Sequence, residues 1–216
     1  MGTVYELSKH QSYFNQFLAE MRDRRIQQDR MRFRANMRRA AAVVAYEMSR
    51  HFPYQEQEVH TTLGSTTMPL LQQQPVIASI LRAGLPFHQG FLDFFDRADN
   101  AFISAYRAHT DDTRFVIKLE YLAAPDLTDR LLVLLDPMIA TGRSMITAWE
   151  ALQDQSRPSA VYVGGIIASE EGIEYVRSHL PDAPIFVGAI DSELTAKAYI
   201  VPGLGDAGDL AFGLKE

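Results

Sequence analysis

Leu131-Leu132-Val133-Leu134-Leu135 is an unbroken aliphatic run, and Asp136 follows it directly, ahead of Pro137, Met138, Ile139, Ala140, Thr141, Gly142, Arg143 and Ser144. Such a run reads as a buried strand, and ligands of open parallel sheets lie beyond the carboxyl ends of strands, where Asp136 emerges. A carboxylate there can accept hydrogen bonds from sugar hydroxyls. The turn Ala140-Thr141-Gly142 can aim successive backbone N–H groups at one phosphate, with Gly142 permitting close approach and unusual dihedrals. Thr141 and Ser144 add hydroxyl donors. A helix from about Ser144 through Trp149 would bring unpaired N–H groups and the positive end of its dipole. The segment lacks the Gly-Lys-Ser/Thr ending of a Walker loop and the Gly-x-Gly-x-x-Gly of a dinucleotide turn. A structural turn without a ligand is the plainer alternative, and the acid at the strand end counts against it.

Two arginines stand in comparable places. Ile80-Leu81-Arg82-Ala83-Gly84-Leu85 puts Arg82 between an apolar run and a small-residue turn, and Ala105-Tyr106-Arg107 puts Arg107 after another run. Guanidinium forks suit pyrophosphate oxygens in charge and in geometry. Taken singly, each arginine is more often a surface ion-pair partner; two at strand ends beside a phosphate cradle point to a site. A further segment, Tyr199-Ile200-Val201-Pro202-Gly203-Leu204-Gly205-Asp206-Ala207-Gly208-Asp209, packs three glycines and two acids together. This composition predicts a shaped loop without helix or strand. Its exposed backbone groups could match the amide-like donors and acceptors of a small planar heterocycle, where larger side chains would block the approach.

Positioning these residues requires an ordered scaffold. Apolar runs at Val76–Leu81, Ala101–Tyr106, Leu131–Leu135, Ala160–Ala168 and Ile185–Ile190 read as buried strands. Segments of helical length, Leu85–Asp96, Arg143–Gln153 and Glu170–Leu180, lie between several of them. Strands alternating with helices predict an α/β fold, a mostly parallel sheet covered on both faces. Phe115–Leu122 with the polar stretch His109–Arg114 reads as a hairpin or flap. Upstream, Phe33, Met37, Ala40, Ala41, Val44 and Met48 recur at helical spacing within a segment rich in arginine from Arg22 to Arg50. That segment is either a solvated basic face on a packed helix or an anion site. No repeat or linker is visible, so residues 1–216 are expected to form one domain, with the N-terminal helical segment of about 1–52 packed on it.

Composition bounds the class. The chain has 216 residues, 47% of them hydrophobic and 22% charged, enough for a sizeable single core. It contains no cysteine, which excludes disulfides, thiolate metal sites and cysteine nucleophiles. A net charge of −6 argues against a bulk nucleic-acid binder, which usually carries a basic footprint. No signal-peptide pattern opens the chain, and no run reaches the roughly 18–20 apolar residues that span a bilayer. A cytoplasmic location, with no membrane partner, is expected.

The run of strand, acid and Ala-Thr-Gly-x-Ser resembles the ribose 5-phosphate motif of type I phosphoribosyltransferases. Asp136-Pro137, in place of the two adjacent acids most of that family carries, is typical of its uracil-specific branch. The loop Tyr199–Asp209 closely resembles the uracil-binding loop of uracil phosphoribosyltransferases. With the Arg82 and Arg107 segments in the same order, the resemblance covers nearly the whole chain from Arg32 onward, including, less specifically, Arg32-Phe33-Arg34 and Tyr46-Glu47. It implies a type I phosphoribosyltransferase fold with a β-hairpin flap, and transfer of a phosphoribosyl group from phosphoribosyl pyrophosphate (PRPP) to uracil, giving UMP. It also implies roles. Arg82 and Arg107 would contact pyrophosphate, and Asp136 through Ser144 would hold the ribose and its phosphate. Ile200, Gly205, Asp206 and Ala207 would frame uracil, with Asp206 facing PRPP and Asp136, Arg107 and Asp206 serving catalysis. Magnesium held mainly by substrate oxygens, a homodimer or higher homo-oligomer, and a GTP effector at the basic helix belong to the same implication. Leu210 and Leu214 depart from the family pattern, which has a basic residue and a threonine there; Arg143 replaces a frequent glycine. The competing readings are a pyrimidine-responsive RNA-binding regulator on the same fold, an enzyme for another base, and a silent paralogue.

Overall fold

The computed structural model describes residues 2–109 and 115–215, with side chains described outside 105–118. The first strand, β1 (Val4–Glu6), leads through a short 3-10 turn into α1 (Phe14–Arg22) and α2 (Arg30–Ser49). A hairpin of β2 (Tyr54–His60) and β3 (Ser65–Leu71) follows. The alternating region runs β4 (Val76–Leu81), α3 (Gly84–Phe94), β5 (Asp99–His109), β6 (Phe115–Ala123), β7 (Leu131–Leu135) and β8 (Met138–Ile139). It continues with α4 (Arg143–Gln153), β9 (Ala160–Ser169), α5 (Glu170–His179) and β10 (Ile185–Asp191). Two short strands, β11 (Glu193–Leu194) and β12 (Ile200–Val201), and a short helix, α6 (Ala207–Phe212), complete the order.

The main sheet has the order β1-β10-β9-β7-β4-β5-β6, with β8 also on β9. Its pairs are parallel except β5 with β6. Why the strands are near-continuous apolar runs is plain in β7. Leu131, Val133 and Leu135 face one core, and Leu132 and Leu134 face the other. The first core is covered by α1, α2 and α3, the second by α4 and α5. Helix α2 starts where Asp29 accepts a hydrogen bond from the Arg32 N–H at 3.0 Å. It buries Phe33, Met37, Ala40, Ala41, Val44 and Met48, and burial stabilises the fold by roughly 1.5–3 kcal/mol for each of the large side chains.

From β4 the chain moves to β5 on one side, and from β7 it moves to β9 on the other. Helices α3 and α4 therefore leave on opposite faces, and a crevice opens between the carboxyl ends of β4 and β7. Ser79 of β4 lies in register with Leu135 of β7, so Arg82 and Asp136 leave the sheet side by side.

Three expectations need correction. The N-terminal segment is not wholly helical, because β1 extends the sheet beside β10. The β2–β3 hairpin has no counterpart among the predicted elements; nearly all of its residues are exposed, so it lacks the alternation that marks a half-buried strand. The segment 199–209 holds regular structure, β12 and the start of α6. The expected flap is an extension of the sheet edge: β5 and β6 pair from Phe102↔Ala123 to His109↔Phe115, and its tip, 110–114, lies outside the described residues. Among the described residues no helix is long and apolar enough to cross a membrane.

Candidate active site

The cradle after β7 is braced from behind. The Asp136 carboxylate accepts the Met138 N–H at 3.0 Å, which fixes the turn leaving the strand. Gly142 sits at φ 72°, in the left-handed region, directly before α4. A Cβ there would also come within 2.8 Å of the Gly172 carbonyl of α5, so glycine is required twice over. Ser169 at the start of α5 donates its hydroxyl to the Ala140 carbonyl and accepts the Gly172 N–H at 2.8 Å. The concavity there is lined by Asp136, Met138, Ile139, Ala140, Thr141, Gly142 and Ser144. The start of α4 adds its dipole. Arg143 is exposed, Pro137 buried.

Across the crevice, Arg82 donates to Asp209 at 2.8 Å and packs against Gly208, whose missing Cβ would lie 3.5 Å from its guanidinium. Asp206 caps α6 by accepting the Asp209 N–H at 3.0 Å. This cap explains why a Gly-rich stretch turns helical after all. Ile200 and Ala207 are buried at 4% and 2% exposure, and Gly205 lies beside Leu210. The structure thus joins Arg82, Asp206, Gly208 and Asp209 in one cluster and sets the Asp136–Ser144 cradle on the neighbouring strand. Arg107 is placed on β5 opposite Ile117 of β6, and its side chain lies outside the described residues.

Leu210, where the resemblance leads one to expect a cation, packs half-buried against the core beneath α2. Lys215, its side chain 70% exposed, stands 3.9 Å from the Asp206 carboxylate. Leu214 is exposed at 85%. The basic segment is engaged with the protein itself. Arg22 pairs with Asp191, Arg32 with Glu20, Arg38 with Asp93 and Arg50 with Glu47, while Arg34 donates to the Ala211 carbonyl. Those contacts fit the packed-scaffold reading. The Arg32 fork, Asn36 and Gln16 hold the Glu20 carboxyl well below its ordinary value, at about 2. Sequence reasoning missed Asp191, although an acid closing an apolar strand is the very signal that singled out Asp136.

The glycine turn ahead of α4 and Arg82 after β4 flank one crevice at the switch point of a mostly parallel sheet, the arrangement expected of a phosphoribosyltransferase type of protein. The profile of the uracil phosphoribosyltransferase family matches residues 8–214. A uracil phosphoribosyltransferase of Porphyromonas gingivalis is 48% identical over 98% of this chain and 99% of its own. One from Pyrococcus furiosus is 34% identical, covering 98% of this chain and 90% of its own. The solved structure of the AQ2163 protein from Aquifex aeolicus superposes with a TM-score of 0.87 at 29% identity, covering 98% of this chain and 99% of that one. This chain belongs to the uracil phosphoribosyltransferase family.

Proposed function

We infer that this chain transfers the 5-phosphoribosyl group from PRPP to uracil, giving UMP and pyrophosphate in pyrimidine salvage, and that it works as one domain over 1–216. The observation that carries the reading is the pairing at the switch point: the Asp136–Ser144 cradle after β7, and Arg82 after β4 tied through Asp209 to the loop 200–209.

A ring nitrogen of uracil forms the new bond to the anomeric carbon, the bond from that carbon to pyrophosphate breaks, and the nitrogen's proton leaves to solvent. The cradle holds the 5-phosphate, and the Asp136 carboxylate orients ribose hydroxyls and faces the positive charge that develops on the sugar. Arg82 and Arg107 neutralise the departing pyrophosphate. Backbone groups of Ile200, Gly205 and Ala207 frame uracil, and Asp206 holds the loop against the donor. Magnesium, bound, would add charge stabilisation on the pyrophosphate. Asp136 and Asp206 would lie beside such an ion, which substrate oxygens would mainly carry, as suits magnesium.

A homo-oligomer belongs to this reading, supported by the exposed Tyr54, Leu63, Met68 and Leu70 on the β2–β3 arm. GTP as effector would act on the basic α1–α2 region. A cytoplasmic location follows from a donor whose charge keeps it from crossing bilayers. The test is UMP formation from uracil and PRPP with magnesium, repeated with cytosine, orotate, hypoxanthine and adenine, with and without GTP. Turnover of uracil alone is expected; binding of uracil without turnover of any base would overturn the reading in favour of a silent paralogue.

A further inference from the structure

Arg22 closes α1 and Asp191 closes β10, and they meet in a two-pronged pair with both nitrogen–oxygen distances at 2.8 Å. The side chains are 23% and 8% exposed. Between them they also take both polar groups of one peptide residue. Asp191 accepts the Gly203 N–H at 2.9 Å, and Arg22 donates to the Gly203 carbonyl at 3.0 Å. Gly203 adopts φ 57°, and a Cβ on it would fall 2.1 Å from the Ile200 carbonyl. No side chain can be placed there, so the backbone is the only available handle. Gln27 secures the other partner by donating to the Met21 and Arg22 carbonyls at 3.0 and 3.1 Å. Its own carbonyl faces Gly205, 3.9 Å from where a Cβ would lie.

We propose that Arg22 and Asp191 are positioning residues for the base: by gripping Gly203 they hold the loop Ile200–Ala207 in the shape that accepts uracil. Both Asp191 oxygens are committed to this grip, so the pair acts through the loop and makes no contact with substrate. The inference rests on reading that loop as the uracil site. The donor cradle stands on β7 and is braced by α5, so loosening the grip should spare it.

The test compares Arg22→Met, Arg22→Lys and Asp191→Asn with Ala207→Val, measuring KM for uracil, KM for PRPP and thermal stability. Losing charge-assisted bonds should raise KM for uracil about tenfold or more in Arg22→Met and Asp191→Asn, with KM for PRPP within about twofold of wild type. Arg22→Lys, which keeps the charge and one donor, should recover part of the loss. Ala207→Val should act on uracil alone, as a direct obstruction of the pocket. If the folded grip variants keep wild-type uracil KM, or shift both constants equally while Ala207→Val remains selective, the pair is merely structural and the proposal fails. If Ala207→Val itself shifts both equally, the loop is not the base site, and the reading beneath the proposal fails instead. Should Arg22→Met not fold, Arg22→Lys and Asp191→Asn decide, because both retain the packing volume.

Discussion

Asp136 has two tasks that a single substitution can separate. One oxygen holds the turn through the Met138 N–H, which an asparagine carbonyl would do equally well. In the proposed reaction the negative charge serves the substrate. Asp136→Asn should therefore melt like wild type yet turn over roughly 10–100-fold more slowly, the loss of a charge-assisted hydrogen bond of about 1.5–3 kcal/mol. Steady-state kinetics beside thermal melting checks this, and wild-type turnover would remove Asp136 from the chemistry. The same residue shows what sequence can disclose. Asp136 was legible because everything that gives it meaning, the strand before and the small-residue turn after, lies within a few positions. Asp191 ends a strand just as abruptly, but its partner is 169 residues away, and no local pattern announces a contact at that distance.

Elements were legible where burial imposed a period. The runs that became β4, β7, β9 and β10 are apolar on both faces because helices cover both, and a strand with one wet face would have alternated instead. The β2–β3 hairpin escaped because neither face is buried, and α6 escaped because its start depends on one cap, Asp206, amid residues that otherwise favour a loop. The joint of α1 with α2 carries a consequence of its own. Glu20 accepts from Arg32 at 2.7 and 2.8 Å, from Asn36 at 2.6 Å and from Gln16 at 3.2 Å. Its carboxyl titrates near 2 in the fold against an ordinary 4.5, so its contribution to stability is complete above the ordinary value and fades as pH falls towards 2. Glu20→Gln should melt below wild type at neutral pH, with the gap narrowing from pH 4.5 down to 2. A gap that stays constant across that range would mean the charge of Glu20 is not what joins the helices.

On the scale of the whole molecule, two helical layers enclose the sheet while the β2–β3 arm stands outside both. Leu63 is 99% exposed, and Met68 and Leu70 are 47% and 37% exposed. If the arm joins copies of the chain, wild type should sediment at a multiple of 24.3 kDa and the double variant Met68→Glu/Leu70→Glu at 24.3 kDa. An unchanged mass in the variant would place the contact elsewhere. Layering was predictable from the alternation of strands and helices, whereas the arm and the meeting of distant segments were not. That meeting also bears on how the chain comes into being. Strand β1 waits for Ile185–Val187 to pair with it, and Arg22 waits for Asp191 and Gly203. The strands of the β4–β7 crevice are made before these, but its supports, Ser169 and Gly172 behind the turn and Asp209 beside Arg82, are made late as well. The loop 200–207 is sealed only when late-made residues come back to the earliest ones, so a synthesis interrupted before α5 leaves both sides of the crevice without their supports.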